Sequence, residues 1–154
     1  MKKYNERQKA SPRIINGEIA IDDRGEVAFV NDLDMRGVKR FYTIANHRAR
    51  FVRAWHAHKK EGKYVTVIDG AAVIACVRID NWHSPSRDLK IDRYVLSGKK
   101  PAILFIPGGY ANGFMTLKRD TKLLFFSTAS VSESREDDFR YDARYWDPWK
   151  IIER

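Results

Sequence analysis

The sequence is poor in residues that cross-link or interrupt a fold, with one cysteine, 9 glycines and 5 prolines among 154 residues. The lone cysteine, Cys76, excludes an internal disulfide, and a reducing cytoplasmic setting is expected. It lies in the apolar run AAVIACVRI, where a buried thiol is expected. No run approaches the ~20 apolar residues of a membrane-spanning helix. The polar start MKKYNERQKASPR lacks the apolar segment of a signal peptide.

Positive charge is what the sequence has in excess. Lys and Arg number 29 against 20 Asp and Glu, which gives a net charge of +9. This balance favours an anionic partner such as nucleic acid, acidic lipid or a phosphorylated small molecule. The basic residues are spread singly and in pairs, and no helix-turn-helix or zinc-finger pattern is present. We therefore expect an anionic small molecule as partner, and neither nucleic acid nor a membrane.

Short strand-like segments follow one another along most of the chain. Residues 1–12 are predicted to form a flexible or subunit-pairing arm, and residues 13–154 a single domain. GEIAIDD and EVAFVND alternate apolar and polar residues around a turn, which predicts a hairpin. In all, about ten such segments with intervening turn signals predict an all-β sandwich or barrel. At the C-terminal end, Ser132 is expected to cap a short helix, and Asp147-Pro148 to end it.

Two histidines, His56 and His58, stand two residues apart in the segment RFVRAWHAH. On a strand, residues i and i+2 point to the same face, so both imidazoles face one side while Trp55 and Ala57 face the other. The segment lies in the middle of the series and precedes an apolar one, which favours the barrel interior. Two interior imidazoles are suited either to hold a metal ion or to carry protons.

The histidine pair followed by Glu61 and Gly70 resembles the first signature of the cupin barrels. The segment IPGGYANGF resembles the second signature, but Asn112 stands where that signature has a third metal-binding histidine. An amide is a poor ligand for transition metals, so we expect neither a metal nor any other cofactor. The resemblance implies an all-β double-stranded β-helix, a cupin jelly-roll barrel with a short C-terminal helix.

Two cupin families that act on nucleotide-linked keto sugars are the most similar. The chain resembles the dTDP-4-dehydrorhamnose 3,5-epimerases in a series of blocks, in order, from about residue 20 to residue 150. These blocks read DDRG, VRAWH, GKYVTVIDG, SPSRDL, LSGKKPAILFIPGGYANGF and DDFRYDARYWDP. The segments VKRFYTI and HAHKK are similar to the dTDP-sugar 3,4-ketoisomerases instead.

Proton transfer next to a ketone needs a base near neutral pKa, a group that stabilises the enolate, and an acid. By resemblance to the epimerases, His56 is the base and Lys63 stabilises the enolate. Asp142 is expected to orient the histidine much as a triad carboxylate does. Asp138 and Asp147 are alternatives for that role.

The resemblance also implies two arginines that bind the nucleotide diphosphate, Arg24 in the hairpin turn and Arg53 three residues before His56. Odd spacing on a regular strand would place Arg53 and His56 on opposite faces unless a bulge lies between them. Tyr110 and Asn112 are further candidates for contact with the substrate.

One departure concerns the general acid. The epimerases carry an acid tyrosine on the strand after KLLFFSTASV, where this chain has Ala129-Ser130-Val131. Tyr42, Tyr110 and His58 are the candidates to replace it. In the ketoisomerases both paired histidines belong to the active site, which would make His58 a second proton carrier.

The resulting hypothesis is a cytoplasmic nucleotide-sugar epimerase that acts on a dTDP-4-keto-6-deoxyhexose without a cofactor. A 3,4-ketoisomerase that uses the histidine pair is the first alternative. A sugar-nucleotide-binding cupin without catalytic activity and a metal-dependent cupin oxygenase are two others. The resemblance also implies a homodimer in which an N-terminal strand is exchanged or paired between subunits.

Overall fold

Two five-stranded antiparallel sheets make up most of the fold in the computed structural model, which describes residues 10–154. The first sheet has the strand order β1-β9-β6-β11-β4, and the second has the order β12-β5-β10-β7-β8. The strands of the first sheet are β1 Arg13–Asn16, β4 Arg40–Ala45, β6 Lys63–Asp69, β9 Ala102–Ile106 and β11 Lys122–Ser127. Those of the second are β5 Val52–His58, β7 Ala71–Arg78, β8 Ile91–Ser97, β10 Tyr110–Thr116 and β12 Phe139–Arg140.

The two sheets pack face to face over an apolar core. Val65, Leu104 and Leu123 of the first sheet are fully buried, and they belong to one cluster with Ile74 and Cys76 of the second. Val65 and Leu123 alternate with more exposed residues along β6 and β11, as expected where one face of a sheet covers a core, whereas β7 is buried on both faces. Burial raises the pKa of the Cys76 thiol well above its ordinary value, so the thiol stays protonated. The all-β jelly-roll expectation is confirmed.

A second apolar cluster lies on the outer face of the second sheet. Trp55, only 1% exposed, packs there against Trp146 and Trp149 of the C-terminal segment. The backbone of Trp55 also exchanges two hydrogen bonds with that of Tyr141. The C-terminal segment therefore covers the back of β5, the strand that carries both histidines.

The predicted hairpin is present as β2 Glu18–Asp22 and β3 Gly25–Phe29, which pair only with each other within the described residues. The predicted arm over residues 1–12 lies mostly outside the described part of the chain. Helix α1 spans Val131–Glu136, so it begins before the predicted cap at Ser132. Its N-cap is Ser130, whose side chain accepts a hydrogen bond from the backbone of Glu133 while Glu133 bonds back, a capping box. Within residues 10–154, no helix is long and apolar enough to cross a membrane.

Candidate active site

A cavity of about 360 Å³ lies between the two sheets, beside the apolar core. Strands of both sheets contribute to it, and α1 and β12 close one side. Its lining is rich in cationic side chains, namely Arg40, Arg53, Lys63, Arg135 and Arg140. The cavity is thus suited to an anionic ligand, in agreement with the net charge of the chain.

His56 and His58 both line this cavity, and Trp55 and Ala57 are buried in the outer cluster. This is the arrangement that the alternation along the strand predicts. Arg53 lines the same cavity because a β-bulge lies between it and His56. Asn112 of β10 pairs with His56 of β5, and Phe114 of β10 pairs with Arg53 of β5. Two residues along β10 thus correspond to three residues along β5. The extra residue on β5 turns Arg53 to the same side as His56, where it lines the cavity while remaining exposed to solvent.

His56 is neutral at physiological pH. Its partial burial, followed by the nearby charges of Arg140 and Lys63, lowers its pKa from an ordinary value of 6.5 to about 4. The carboxylate of Asp138 acts in the opposite direction. A neutral imidazole in a cavity has a lone pair available, which is what a general base requires.

Lys63 begins β6 and is 7% exposed. Its ammonium nitrogen Nζ lies 3.1 Å from Nε2 of His58. Burial lowers the pKa of Lys63, and the charge of Glu61 partly opposes this effect. Burial also lowers the pKa of His58, and the charge of Lys63 lowers it further by a smaller amount. Lys63 lines the same cavity as His56, so the predicted enolate-stabilising lysine and the predicted base lie in one cavity.

Tyr42 lines the cavity from the opposite sheet, on β4. Its ring stacks on Phe125 with centroids 5.2 Å apart. The Arg40 guanidinium also lies over the Tyr42 ring, 5.0 Å from its centroid. Burial and then the charge of Glu61 raise the pKa of Tyr42 to about 12. The phenol thus stays protonated at neutral pH and is available to donate a proton.

Three predicted site residues do not line the cavity. Arg24 lies in the exposed hairpin turn, where its guanidinium pairs with Asp22. Tyr110 packs in the apolar core between the sheets. Asp142 is exposed, and its carboxylate accepts a hydrogen bond from the backbone N–H of Arg144.

Some cavity residues were not found from the sequence. Arg40 lies two residues before Tyr42 on β4, so the same alternation that places Tyr42 inside also places Arg40 there. Arg135 on α1 and Arg140 on β12 gave no such signal, because their positions depend on how the C-terminal segment packs. Asp138, one of the alternatives to Asp142, does line the cavity.

The amide of Asn112 is directed at the backbone. Its Nδ2 donates a hydrogen bond to the carbonyl oxygen of His56 at 3.2 Å. Among residues 10–154, no group of three or more His, Cys, Asp or Glu side chains is placed to hold a metal ion. The donor set around the histidine pair is therefore better suited to hydrogen bonding and proton transfer than to metal binding.

A neutral histidine, a buried lysine and several arginines around a cavity in a jelly-roll barrel are suited to proton transfer on an anionic substrate, the chemistry of an isomerase. The chain belongs to the dTDP-4-dehydrorhamnose 3,5-epimerase family, whose sequence model matches residues 14–150. The predicted family, fold and enzyme class, an isomerase of dTDP-linked sugars, are thereby confirmed. No curated protein matches the chain.

Solved structures with the same fold include members of several isomerase groups. A dTDP-4-dehydrorhamnose 3,5-epimerase from Bacillus anthracis with TDP and PPi bound has a TM-score of 0.71 at 19% identity, over 92% of this chain and 86% of that one. A 3,4-ketoisomerase from Helicobacter canadensis has a TM-score of 0.65 at 20% identity, over 87% of this chain and 93% of that one. A 3′-monoepimerase from Streptomyces bikiniensis, in complex with dTDP-quinovose, has a TM-score of 0.68 at 17% identity, over 84% of this chain and 69% of that one.

Proposed function

We propose that the cavity binds a dTDP-linked 4-keto-6-deoxyhexose and that His56 removes the proton from a carbon next to the ketone. The observation that carries this proposal is a neutral imidazole in a cavity that also holds a buried lysine. Removal of the proton leaves negative charge on the ketone oxygen. The Lys63 ammonium stabilises that charge more strongly in a cavity than it would in water.

Epimerisation requires that the proton return to the opposite face of the same carbon. His56 lies on β5 of the second sheet and Tyr42 on β4 of the first, so the two side chains enter the cavity from facing sheets. Tyr42, protonated at neutral pH, donates the proton and His56 keeps the one it removed. Tyr42 thus takes the role of the tyrosine that is missing at Ala129-Ser130-Val131.

Orientation of the base is assigned to Asp138 rather than Asp142. Asp138 lines the cavity, and its charge acts on the pKa of His56, whereas Asp142 is exposed. Arg140 holds the Asp138 carboxylate through a hydrogen bond of 2.9 Å from its Nε. A carboxylate fixed in this way can fix the ring of a neighbouring histidine.

For the diphosphate, Arg53 is the cavity residue with the right chemistry, because a guanidinium binds phosphate oxygens in pairs. Asn112 contacts the sugar from the cavity wall. Arg24 is exposed on the hairpin and does not line the cavity, so in this proposal it would bind the diphosphate in the site of another subunit. Tyr110 is buried in the core and pairs with His58 across β10 and β5, so it supports the wall beside the histidine pair.

A homodimer is part of this proposal. The hairpin presents Ile21 and Val27, 76% and 64% exposed, and β4 at the edge of the first sheet presents Phe41, 69% exposed. Apolar side chains exposed on a sheet edge and on a hairpin are typical of an interface. A dimer would cover them and would bring Arg24 towards the partner's cavity. The buried free thiol of Cys76 fits a cytoplasmic setting.

A 3,4-ketoisomerase is the second candidate, and one observation favours it. His56 and His58 lie on the same strand and line the same wall of the cavity. Two proton carriers on one wall are suited to moving a proton between neighbouring carbons on a single face of the sugar. In that reaction His58 would be the second proton carrier, once the Lys63 ammonium has moved away from its Nε2.

Solvent deuterium exchange tests the proposal. The protein is incubated with dTDP-4-keto-6-deoxyglucose in D₂O, and the sugar is followed by proton NMR. Deuterium at C3 or C5 of an epimerised product is expected. Deuterium at C4 of a 3-keto isomer would identify the ketoisomerase instead. Binding without any exchange would overturn both enzymatic assignments and leave a sugar-nucleotide-binding protein.

A further inference from the structure

Both ring nitrogens of His58 have fixed neighbours. Nδ1 lies 2.5 Å from the carbonyl oxygen of Asp137 and 3.2 Å from a carboxylate oxygen of Glu61. Nε2 lies 3.1 Å from Nζ of Lys63. The imidazole therefore bridges two acceptors on one side and a lysine on the other.

These neighbours determine the tautomer of His58. A carbonyl and a carboxylate can only accept, so Nδ1 must carry the proton. An ammonium can only donate, so Nε2 must present its lone pair to Lys63. Because burial lowers the pKa of His58, the ring is neutral and satisfies both conditions at once.

Glu61 is the anionic end of this chain of contacts. Its carboxylate is 1% exposed and accepts hydrogen bonds from the hydroxyls of Ser127 at 2.6 Å and Ser134 at 2.7 Å. Arg40 approaches it at 3.5 Å. A buried carboxylate held by groups from β11, α1 and β4 has a fixed position next to the imidazole.

The loop that carries Glu61 is fixed as well. The Asp137 carboxylate accepts hydrogen bonds from the backbone N–H groups of Lys59, Lys60 and Glu61. The same residue offers its carbonyl oxygen to His58. Asp137 is the C-cap of α1, so the end of this helix is tied to the segment between β5 and β6.

We infer that Glu61 is a positioning residue that acts through His58 to hold the Lys63 ammonium in the cavity. The Nδ1–H of His58 donates to the carbonyl oxygen of Asp137, and the Glu61 carboxylate, 3.2 Å from the same nitrogen, attracts that N–H as well. The Nε2 lone pair of His58 then fixes one N–H of Lys63. The remaining N–H groups of Lys63 stay available to a substrate oxygen. This inference rests on the proposed function only for the identity of that substrate, because the chain of contacts exists in the protein alone.

The charge of Glu61 has a second effect on Lys63. The groups that act on Lys63 are Glu61 from the loop, Arg40 from β4, and Asp138 and Arg140 from the β12 region, together with His58. Of these, Glu61 acts most strongly to keep Lys63 protonated against the effect of burial. Its removal shifts the titration of Lys63 to lower pH.

The test uses NMR on the full-length protein without substrate. A ¹⁵N–¹H spectrum of the imidazoles is expected to show His58 with its proton on Nδ1. Titration of the Lys63 side chain, followed at its ¹³Cε, gives a midpoint for the wild type, for Glu61→Gln and for Glu136→Gln. Glu136 is an exposed carboxylate in α1 and serves as the matched control.

In Glu61→Gln the Lys63 midpoint is expected to fall by about one pH unit, while Glu136→Gln leaves it unchanged. The inference is overturned if His58 carries its proton on Nε2, a result that needs only the wild type. It is also overturned if Glu61→Gln and Glu136→Gln give the same Lys63 midpoint.

A kinetic readout separates this role from a purely structural one. With the substrate found by deuterium exchange, Glu61→Gln is expected to lower kcat about tenfold with little change in KM, and to move the alkaline loss of activity to lower pH. An equal fall at every pH would indicate a structural role and overturn the inference. If no nucleotide sugar is turned over, the NMR result still decides the inference while the proposed function fails.

Discussion

Arg53 and His56 line the same cavity although they lie three residues apart on one strand. A regular strand would place them on opposite faces. The bulge between them corrects this mismatch, and it depends on Gly113 of β10. A Cβ atom added at Gly113 would lie 2.4 Å from the Cβ of Ala54, too close for any real contact.

Substitution Gly113→Ala is therefore expected to lower the free energy of unfolding by about 1–3 kcal/mol, because the added methyl overpacks the bulge. Urea denaturation followed by circular dichroism measures it. The double variant A54G/G113A removes the closest clash and should recover part of the loss. Equal stability of Gly113→Ala and the wild type would show that the strands adjust without strain.

Loss of the base should remove turnover without loss of fold. His56→Ala is expected to lower kcat on the order of 10²–10⁴-fold, the usual contribution of a general base. Deuterium exchange into the substrate measures it, with far-ultraviolet circular dichroism as the check on folding. His83→Ala, at an exposed loop histidine, is the control and should retain full activity. Retained exchange in His56→Ala would refute the assignment of the base.

The low pKa of His56 makes stability depend on pH. In the folded protein this pKa is about 4, below its ordinary value of 6.5. Between these values the unfolded chain binds more protons, so the free energy of unfolding falls as the pH falls through this window. The contribution is fully present above about pH 6.5. Urea midpoints across the window measure it, and His56→Asn should show a smaller dependence. An unchanged dependence would place its origin elsewhere.

Removal of metal should leave the activity unchanged. Asn112 occupies the position of a third ligand and bonds to the backbone of His56, which leaves the histidine pair without a set of metal ligands. Dialysis against EDTA followed by the exchange assay tests this expectation. Activity that is lost with EDTA and restored by iron or manganese would contradict it.

A single charged side chain at the proposed interface should disrupt the dimer. Phe41→Asp places a carboxylate on the exposed edge of the first sheet and is expected to give a monomer in size-exclusion chromatography with light scattering. Val95→Asp, at a residue 59% exposed on β8 of the second sheet, is the matched control and should stay dimeric. A dimer in both variants would place the interface on another surface.

The sequence predicts the strands well because their alternation is local. The hairpin and the shared face of His56 and His58 both follow from a period of two residues. The start of α1 was misplaced because several serines lie close together, and only the capping box selects Ser130. The short strands β1 and β12 are defined by pairing with distant partners, Ala102–Ile106 and β5.

The rest of the site depends on contacts between distant parts of the chain. Asp137 bonds to a loop 76 to 78 residues away, and Ser134 to Glu61 across 73 residues. No local pattern marks such pairs. The same reason explains why Asp138, rather than Asp142, lies in the cavity, since both belong to one short acidic and aromatic segment.

The outer cluster behind β5 also gives the chain its own optical probe. All four tryptophans belong to it. The ring centroid of Trp55 is 5.4 Å from that of Trp146 and 5.2 Å from that of Trp149. Indoles held this close in fixed orientations give near-ultraviolet circular dichroism that disappears when packing loosens. Since Trp55 is the immediate neighbour of His56, this signal reports on the wall of the active site without any label.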